Sequence, residues 1–248
     1  MSIWEVVMLA GAGFVSGALN AAAGGGSLVS FPALLVAGYP PILANVTNNV
    51  AAVPGYAGGA WGYRKELEGQ GKRILPLSVV SALGGLAGVG LILVSSESAF
   101  RGIVPFLVLV ACALLALEPF LSRRRTRGGD RPGAGALAGQ MAAAVYGGYF
   151  GAALGVAVLA LLGLTLDDSL QRLNALKALL QLVIGGVAAI GFVLLTPVAW
   201  GAVAIVGTAS LLGGQVGAHL ARRVSDRTLR VGIVVYGLAA ALWLFATR

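Results

Sequence analysis

Apolar stretches of about twenty residues, enough for one membrane-spanning helix, recur along almost the whole chain. Of its 248 residues, 58% are hydrophobic and only 10% are charged. Charged residues make up about 25% of a typical soluble domain. Because a soluble fold of this length could not bury so much apolar surface, we expect an all-α polytopic membrane protein without a separate soluble domain.

The charged residues fall mainly in three clusters, within residues 64–73, 123–131 and 222–230. The net charge is +8. In a membrane protein basic clusters mainly set orientation and contact anionic lipid, so we expect the lipid bilayer, and no nucleic acid, among the partners. The single Cys112 excludes an internal disulfide, and one His with three Met forms no soft-metal site, so we expect no metal and no cofactor.

Two apolar pieces, Ser27–Ala37 and Val156–Leu166, are too short to cross a bilayer as ordinary helices. Each follows a glycine-bearing break. We therefore expect short re-entrant or broken helices that pack inside the protein, because lipid cannot satisfy their free backbone groups. The eight expected spanning helices cover residues 4–22, 43–63, 75–95, 102–121, 136–153, 173–193, 198–221 and 229–247.

A shift of 129 residues aligns the first half of the chain with the second half without a gap. This register pairs Asn45 with Asn174, and it repeats a Gly-Gly-x-x-Gly pattern that begins at Gly84 and again at Gly213. Such a register is much harder to obtain by chance than matches of Ala, Val or Leu. We infer an internal duplication of the kind that secondary transporters contain, with the glycine pattern serving close helix packing.

The loop charges indicate that the two repeats have opposite orientations in the membrane. The loop at 64–73 carries four basic residues, whereas its counterpart at 193–202 carries no charge. The positive-inside rule then predicts inverted-topology repeats, with the basic loops in the cytoplasm and both termini outside. Inversion needs an odd number of crossings per repeat, and the sequence leaves open whether each short piece crosses or forms a hairpin with its neighbour. The expected division is a first repeat at 1–121, a basic cytoplasmic linker at 122–135 and a second repeat at 136–248.

The glycine-rich break is the first candidate binding region, because duplicated transporters bind their substrate near the midplane beside broken helices. Glycine lets the backbone approach a ligand closely, and the partial positive charge at a helix N-terminus favours an anion. The alternative is that the glycines only permit a turn or tight packing. The candidate residues are Asn20, Gly24, Gly25, Gly26 and Ser27, with Tyr149 and Gly155 in the second repeat.

A polar cluster in the next span is the second candidate region. Its uncharged donors suit an oxyanion that loses part of its water and must leave again, and the alternative is hydrogen bonding between helices, worth about 0.6 kcal/mol on average. Lys177 aligns with Asn48, and an intramembrane lysine is a functional hypothesis by default, with snorkelling to the interface as the alternative. The candidates are Asn45, Thr47, Asn48 and Asn49, with Asn174, Lys177 and Gln181 in the second repeat.

Four other polar residues have plainer interpretations. His219 and Glu118 lie near span ends, where Glu118 is expected to pair with arginines, and a proton relay is the weaker alternative for His219. Asp167 and Asp168 lie in a short connection, where Asp168 is expected to cap the following helix. Ser27 has no Gly-x-Ser-x-Gly context and His219 is the sole histidine, so we assign no catalytic residue and expect no enzyme.

The first half resembles a known transporter family, the TauE/SafE sulfite exporters, also called the toluene sulfonate uptake permeases. A glycine-rich segment, a Pro-Leu-Leu-like element, a Gly-x-Pro turn and an Ala-x-x-Thr-Asn-like element follow one another in that family. The second half departs from the pattern, with a single glycine in 152–155 and with Ala175 and Leu176 before Lys177. The residues that carry the resemblance are Gly13, Phe14, Gly17, Gly24 to Leu28, Phe31 to Leu35, Gly38 to Pro41 and Ala44 to Asn48.

The resemblance implies a multi-pass protein of the bacterial cytoplasmic membrane that moves sulfite, organosulfonates or related small anions by alternating access. An inside-negative potential favours outward movement of an anion by about 2.3 kcal/mol per unit charge per 100 mV, so export needs no coupled cation. The lack of a carboxylate in the core of a span also favours export. The alternatives are a proton- or sodium-coupled uptake permease and a channel for another small anion. A homodimer is compatible with the chain.

Overall fold

The computed structural model describes residues 1–22, 24–121, 131–220 and 226–246, and these form ten α-helices and no strand. The eight long segments and the two short pieces expected from the sequence all appear as helices. In chain order the helices are α1 Ile3–Ala22, α2 Ser27–Val36, α3 Pro41–Gly62, α4 Gly71–Val94, α5 Glu97–Leu121, α6 Ala134–Tyr149, α7 Leu154–Thr165, α8 Leu170–Leu195, α9 Trp200–Leu220 and α10 Asp226–Ala246.

Four helices in the described part of the chain are long and apolar enough to cross a membrane. That the other four of the eight predicted segments also cross the membrane stays a prediction. Large apolar side chains at the helix ends face outward, as lipid contact requires: Val94 is 82% exposed and Leu194 is 74% exposed. The four segments are Ile3–Asn20, Gly71–Val94, Glu97–Leu117 and Leu170–Leu195.

The helix starts follow the repeat register found in the sequence. In the second half, α8, α9 and α10 each begin 129 residues after their first-half counterparts α3, α4 and α5. The short helices α2 and α7 likewise occupy corresponding positions. The predicted linker falls between α5 and α6, although α6 already begins at Ala134, and residues 122–130 lie outside the described ranges.

Each short helix turns back along the helix before it. In the first half, Ser16 of α1 contacts Ser30 of α2, and Asn20 contacts Gly26, so α1 and α2 form an antiparallel hairpin. In the second half, Gly147 of α6 faces Leu154 of α7 and Gly139 faces Leu161, so α6 and α7 also form an antiparallel hairpin. Each half therefore contains a helical hairpin, and whether its short helix crosses the membrane or re-enters stays a prediction.

The two halves pack against each other because several helices have their main contacts with a helix of the other half. Helix α1 lies along α9, α4 lies along α6, and the counterparts α3 and α8 pack together. Tyr56 of α3 faces Gly185 of α8, and Gly59 faces Ala178, so α3 and α8 run in opposite directions. A buried aromatic group formed by Phe31, Phe100 and Phe150 connects α2, α5 and the break after α6.

The glycine pattern on α4 and α9 lies at these helix contacts, as predicted. A Cβ at Gly84 would lie 2.6 Å from the Ala144 Cβ of α6, and one at Gly88 would overlap the Val145 carbonyl. On the other side, a Cβ at Gly213 would overlap the backbone of Phe14 in α1. Glycine is required here because the opposing atoms are backbone atoms or the Cβ of an alanine, and neither kind can rotate away.

We expect Gly88→Ala to lower the thermal unfolding temperature by several degrees, while Gly90→Ala leaves it unchanged or raises it. Both glycines lie on α4, but a Cβ at Gly90 meets nothing within 4 Å. Overpacking costs about 1–3 kcal/mol, and each kcal/mol corresponds to about 2–4 °C in a chain of this size. Thermal unfolding of the two purified variants checks this, and equal midpoints would contradict the close-packing role of Gly88.

Candidate functional site

The two glycine-bearing breaks meet in the interior of the protein. A Cβ placed on Gly24 would lie 3.4 Å from the Gly155 Cα and 3.5 Å from the Val156 nitrogen. The first turns of α2 and α7 therefore begin beside each other, and Gly24, Gly25, Gly26 and Gly155 are all buried. Two adjacent helix N-termini provide backbone N–H groups and partial positive charge in one region.

Both breaks contain a residue in the left-handed region at corresponding positions, despite their different sequences. Gly24 has a φ of 76° and its repeat counterpart Ala153 has a φ of 55°, the one non-glycine residue with positive φ in the part of the chain that the structure describes. Alanine in this left-handed region costs about 1–2 kcal/mol. The second half thus keeps the turn where it lacks the glycine, and the surrounding packing compensates for that strain.

Asn20 closes the first break. Its Oδ1 accepts a hydrogen bond of 2.9 Å from the Gly26 nitrogen, so it satisfies one free donor at the start of α2. Gly26 packs against the Ser16 carbonyl of α1, where a side chain would not fit. Ser27 follows in the first turn of α2 and is buried.

A chain of buried polar side chains links α1, α2 and α3. The Ser16 and Ser30 hydroxyls lie 3.1 Å apart, and the Ser30 hydroxyl donates to Asn48 Oδ1 at 2.6 Å. All three residues are buried, with exposed fractions of 4% for Ser16, 2% for Ser30 and 3% for Asn48. Sequence reasoning singled out Asn48 but missed both serines. Their positions on facing sides of an antiparallel hairpin were the missing information.

Asn45 and Asn49 hold the end of α6, which belongs to the other half. The Asn45 side-chain amide donates to the Tyr149 carbonyl at 2.8 Å, and Asn49 donates to the Asn45 carbonyl at 2.9 Å and the Phe150 carbonyl at 3.5 Å. The Tyr149 and Phe150 carbonyls are groups that the end of α6 leaves without helical partners. Both asparagines thus make the contacts between helices that the sequence offered as the alternative to binding.

Thr47 and Tyr149 contribute to contacts at the edge of this region. The Thr47 hydroxyl accepts from the Ala199 nitrogen at 3.2 Å, just before α9. The Tyr149 hydroxyl lies 3.3 Å from the Ser95 hydroxyl, and its ring packs edge-on against Phe100 at 5.6 Å. The Tyr149 side chain therefore contacts α4 and α5, while its backbone carbonyl contacts the asparagine cluster.

The second-half candidates lie along α8, close to the second break. A Cβ on Gly155 would lie 2.8 Å from Gln181 Nε2, so the amide of Gln181 packs directly against the start of α7. Gln181 is buried, whereas Asn174 and Lys177 are half-buried. Gln181 therefore shares the region of the two breaks with the first-half residues.

An ion-pair cluster connects the start of α4 to the start of α8. The Asp168 carboxylate pairs with Arg73 at 2.5 Å and with Arg172 at 3.0 Å, and Gln70 donates to the Arg172 carbonyl at 3.0 Å. The expectation that Asp168 caps α8 is wrong. The Ser169 hydroxyl accepts from the Arg172 nitrogen and caps the helix, which frees the carboxylate to bridge the two halves.

The environment of Asp168 lowers the pKa of its carboxyl group. Burial acts to raise this pKa, but hydrogen bonds from the Ser169 nitrogen, Arg172 and Arg73 outweigh it and hold the pKa below its ordinary value. A carboxyl group whose folded pKa is depressed stabilises the fold above its unfolded pKa. The stabilisation is then lost as the pH falls through the folded pKa.

We expect Asp168→Asn to destabilise the protein at neutral pH by about 1–2 kcal/mol, less than for a fully buried pair because Arg172 is 36% exposed. The difference from wild type should shrink as the pH is lowered below about 4. The adjacent Asp167 is exposed and provides the matched control, Asp167→Asn. Unfolding temperatures of the three proteins from pH 3 to 8 test this, and a pH-independent difference would refute it.

His219 and Glu118 have backbones within α9 and α5, but their side chains lie outside the described part of the structure. Their expected roles stay predictions.

Comparison with known proteins identifies the family of this chain. A family model described as "Sulfite exporter TauE/SafE" matches residues 9–244. The chain belongs to the TauE/SafE family. The match covers both glycine-bearing breaks, the asparagine cluster and all of α8, so the resemblance seen in the sequence is confirmed.

Several curated proteins resemble this TauE/SafE member, two of those named here along most of their length. A probable membrane transporter protein ORF9 of a Sinorhizobium species is 27% identical over 95% of this chain and 90% of its own length. The probable membrane transporter protein YfcA of Escherichia coli K12 is 27% identical over 89% and 82%. A probable membrane transporter protein of Haemophilus influenzae is 31% identical over 44% and 43%. No solved structure matches the chain.

Proposed function

We propose that this TauE/SafE protein exports small sulfur-containing anions, such as sulfite or organosulfonates, across the bacterial cytoplasmic membrane. The observation that carries the proposal is the meeting of the two breaks, where α2 and α7 begin beside each other. Adjacent helix N-termini favour an anion, and buried amide and hydroxyl groups can replace part of its water. The name of the family model supports sulfite as the first substrate to test.

The packing directions support an inverted arrangement of the two repeats. Helix α3 runs opposite to its counterpart α8, and each half contributes one hairpin and three further helices. If each hairpin enters and leaves the membrane on the same side, three crossings remain per half. An odd number of crossings inverts the second repeat, in agreement with the alternation of basic and uncharged loops.

Lys177 is the one positively charged residue among the candidates, and it lies near Gln181 on α8. It lies one turn before Gln181, and its repeat counterpart Asn48 belongs to the buried hydroxyl chain. A half-buried lysine one turn from Gln181 can balance the charge of an anion, while the amides supply neutral donors. This combination suits a ligand that binds without being trapped.

Export is favoured over uptake by the direction of the membrane potential. Outward movement of one negative charge gains about 2.3 kcal/mol per 100 mV, so no coupled cation is needed. A proton- or sodium-coupled uptake permease would instead lose flux when that cation gradient is removed. A channel would show flux without saturation or counterflow.

Thermal-shift and flux measurements test the proposal together. Sulfite, sulfate, sulfoacetate, taurine, isethionate, phosphate and acetate are compared on wild type, Asn48→Ala and Lys177→Ala, with Lys72→Ala as control because Lys72 is exposed. We expect stabilisation by sulfur oxyanions that follows RT ln(1 + [L]/Kd). It should be lost in the first two variants and kept in the control. A well-folded wild type that no anion stabilises would overturn the anion site.

Proteoliposome flux then decides the direction. Saturable sulfite exit that accelerates with a negative potential on the loaded side supports export. Flux that requires an imposed proton or sodium gradient would favour the uptake permease instead.

A further inference from the structure

A separate cavity of about 310 Å³ opens at the end of the molecule where α2 leads into α3. The start of α5 and the end of α10 complete its walls. Its lining is mostly apolar, with Leu35, Val104 and Trp243 as the larger contributors, and Arg101 is its one cationic residue. None of the residues proposed for the anion site at the breaks lines this cavity.

The Arg101 guanidinium is available to a ligand. It is exposed, and within the part of the chain that the structure describes it makes no hydrogen bond or ion pair. Glu97 lies one turn earlier on α5, but its carboxylate accepts from the Ile42 nitrogen of α3 at 3.3 Å. Glu97 therefore caps the start of α3 and leaves the arginine unpaired.

The nearby carboxylate also limits which anions fit. Arg101 and Glu97 together border a second, more open depression beside the cavity. Because the Glu97 carboxylate borders the same depression as Arg101, its negative charge offsets part of the attraction of the guanidinium, so a monoanion is favoured over a dianion. The apolar walls require that the rest of the ligand be apolar as well.

We infer that this cavity binds a monoanionic amphipathic molecule, with its anionic group on Arg101 and its apolar body against Leu35, Val104 and Trp243. The cavity volume lies at the lower end of the range of about 300–1,000 Å³ for ligand pockets, which fits a single ring or a short chain. Such a molecule comes either from solution, as an organic sulfonate or carboxylate, or from the bilayer, as the headgroup region of an anionic lipid. This site is independent of the proposed export activity.

Trp243 provides a fluorescent reporter in the wall of the cavity, where it is 42% exposed. The other three tryptophans, Trp4, Trp61 and Trp200, are exposed, so they can be replaced by phenylalanine with little effect on packing. In this background, in phosphatidylcholine nanodiscs, 4-bromobenzenesulfonate is titrated against Trp243 fluorescence. The uncharged 4-bromobenzyl alcohol carries the same quenching atom and measures quenching through simple partition into lipid.

Arg101→Gln is compared with Arg131→Gln, which removes an exposed arginine elsewhere on the chain. We expect saturable quenching by the sulfonate, roughly tenfold or more weaker in Arg101→Gln because a charge-assisted hydrogen bond is lost. Arg131→Gln should bind as the parent does, and Arg101→Lys should keep part of the affinity because it keeps the charge. Unsaturable quenching, or equal affinity in Arg101→Gln, would overturn the site.

A second titration identifies the source of the natural occupant. If a lipid headgroup occupies the cavity, phosphatidylglycerol in the nanodiscs should compete with the sulfonate and lower its apparent affinity. This competition should also depend on Arg101. If affinity for the sulfonate is unchanged in these nanodiscs, the site takes its ligand from solution. Either result supports the monoanion site, whereas competition that persists equally in Arg101→Gln would contradict it.

Discussion

We expect Asn45→Asp to lower the thermal unfolding temperature by about 6–12 °C, the largest change among the single substitutions considered. The Asn45 side-chain amide donates to the Tyr149 carbonyl at 2.8 Å, and the residue has no exposed surface. The substitution places a carboxylate oxygen against a carbonyl oxygen in a buried site. An uncompensated buried charge costs about 3 kcal/mol or more.

The repeat provides the matched control for this substitution. Asn174 occupies the corresponding position of the second repeat but is half-buried, so Asn174→Asp should change the unfolding temperature much less. Asn45→Ala should lie between the two, because it removes the donor without adding a charge. Equal shifts for Asn45→Asp and Asn174→Asp would show that the Asn45 contact to α6 contributes little to stability.

Gly26→Ala is expected to reduce anion flux at least about tenfold, which corresponds to about 1.4 kcal/mol in the activation free energy of transport. A Cβ here would overlap the Ser16 carbonyl and would lie 2.7 Å from the Ser16 hydroxyl and 2.8 Å from the Asn20 side chain. The α1–α2 hairpin would have to open. Opening would separate Ser16 from Ser30 and would disturb Asn48 beyond them.

Gly133→Ala is the control for this change. Gly133 also precedes a helix as its N-cap residue, but a Cβ there meets nothing within 4 Å. Flux per folded protein, with the folded amount measured by gel filtration, separates loss of transport from loss of protein. Wild-type flux in Gly26→Ala would contradict the proposal that the first break holds the substrate.

The sequence predicted the helices and the repeat because both depend on local and periodic information. Hydropathy located the long helices, and the 129-residue register anticipated the starts of α8, α9 and α10. The glycine contacts at Gly84 and Gly213 followed from the same pattern. These features require no knowledge of which helix packs against which.

The contacts of individual polar residues were less predictable because they depend on tertiary packing. Asn45 and Asn49 reach carbonyl groups about a hundred residues away in sequence, and Ser16 meets Ser30 only because α2 folds back on α1. Asp168 was expected to act locally and instead pairs with Arg73 of the other half. The binding role of the candidate residues stays a prediction that the flux and thermal-shift experiments test.

The asparagine contacts from α3 to the end of α6 have a consequence for biosynthesis. The ribosome makes α3 long before α6, so the Asn45 side-chain amide is made while the Tyr149 carbonyl that it binds does not yet exist. The hydrocarbon core of a bilayer offers this amide no substitute partner. The first half must therefore wait in an incomplete state, shielded by the insertion machinery or by water, until the second half is synthesised. Substitutions that slow the emergence of α6 should then reduce yield without changing the stability of the finished protein.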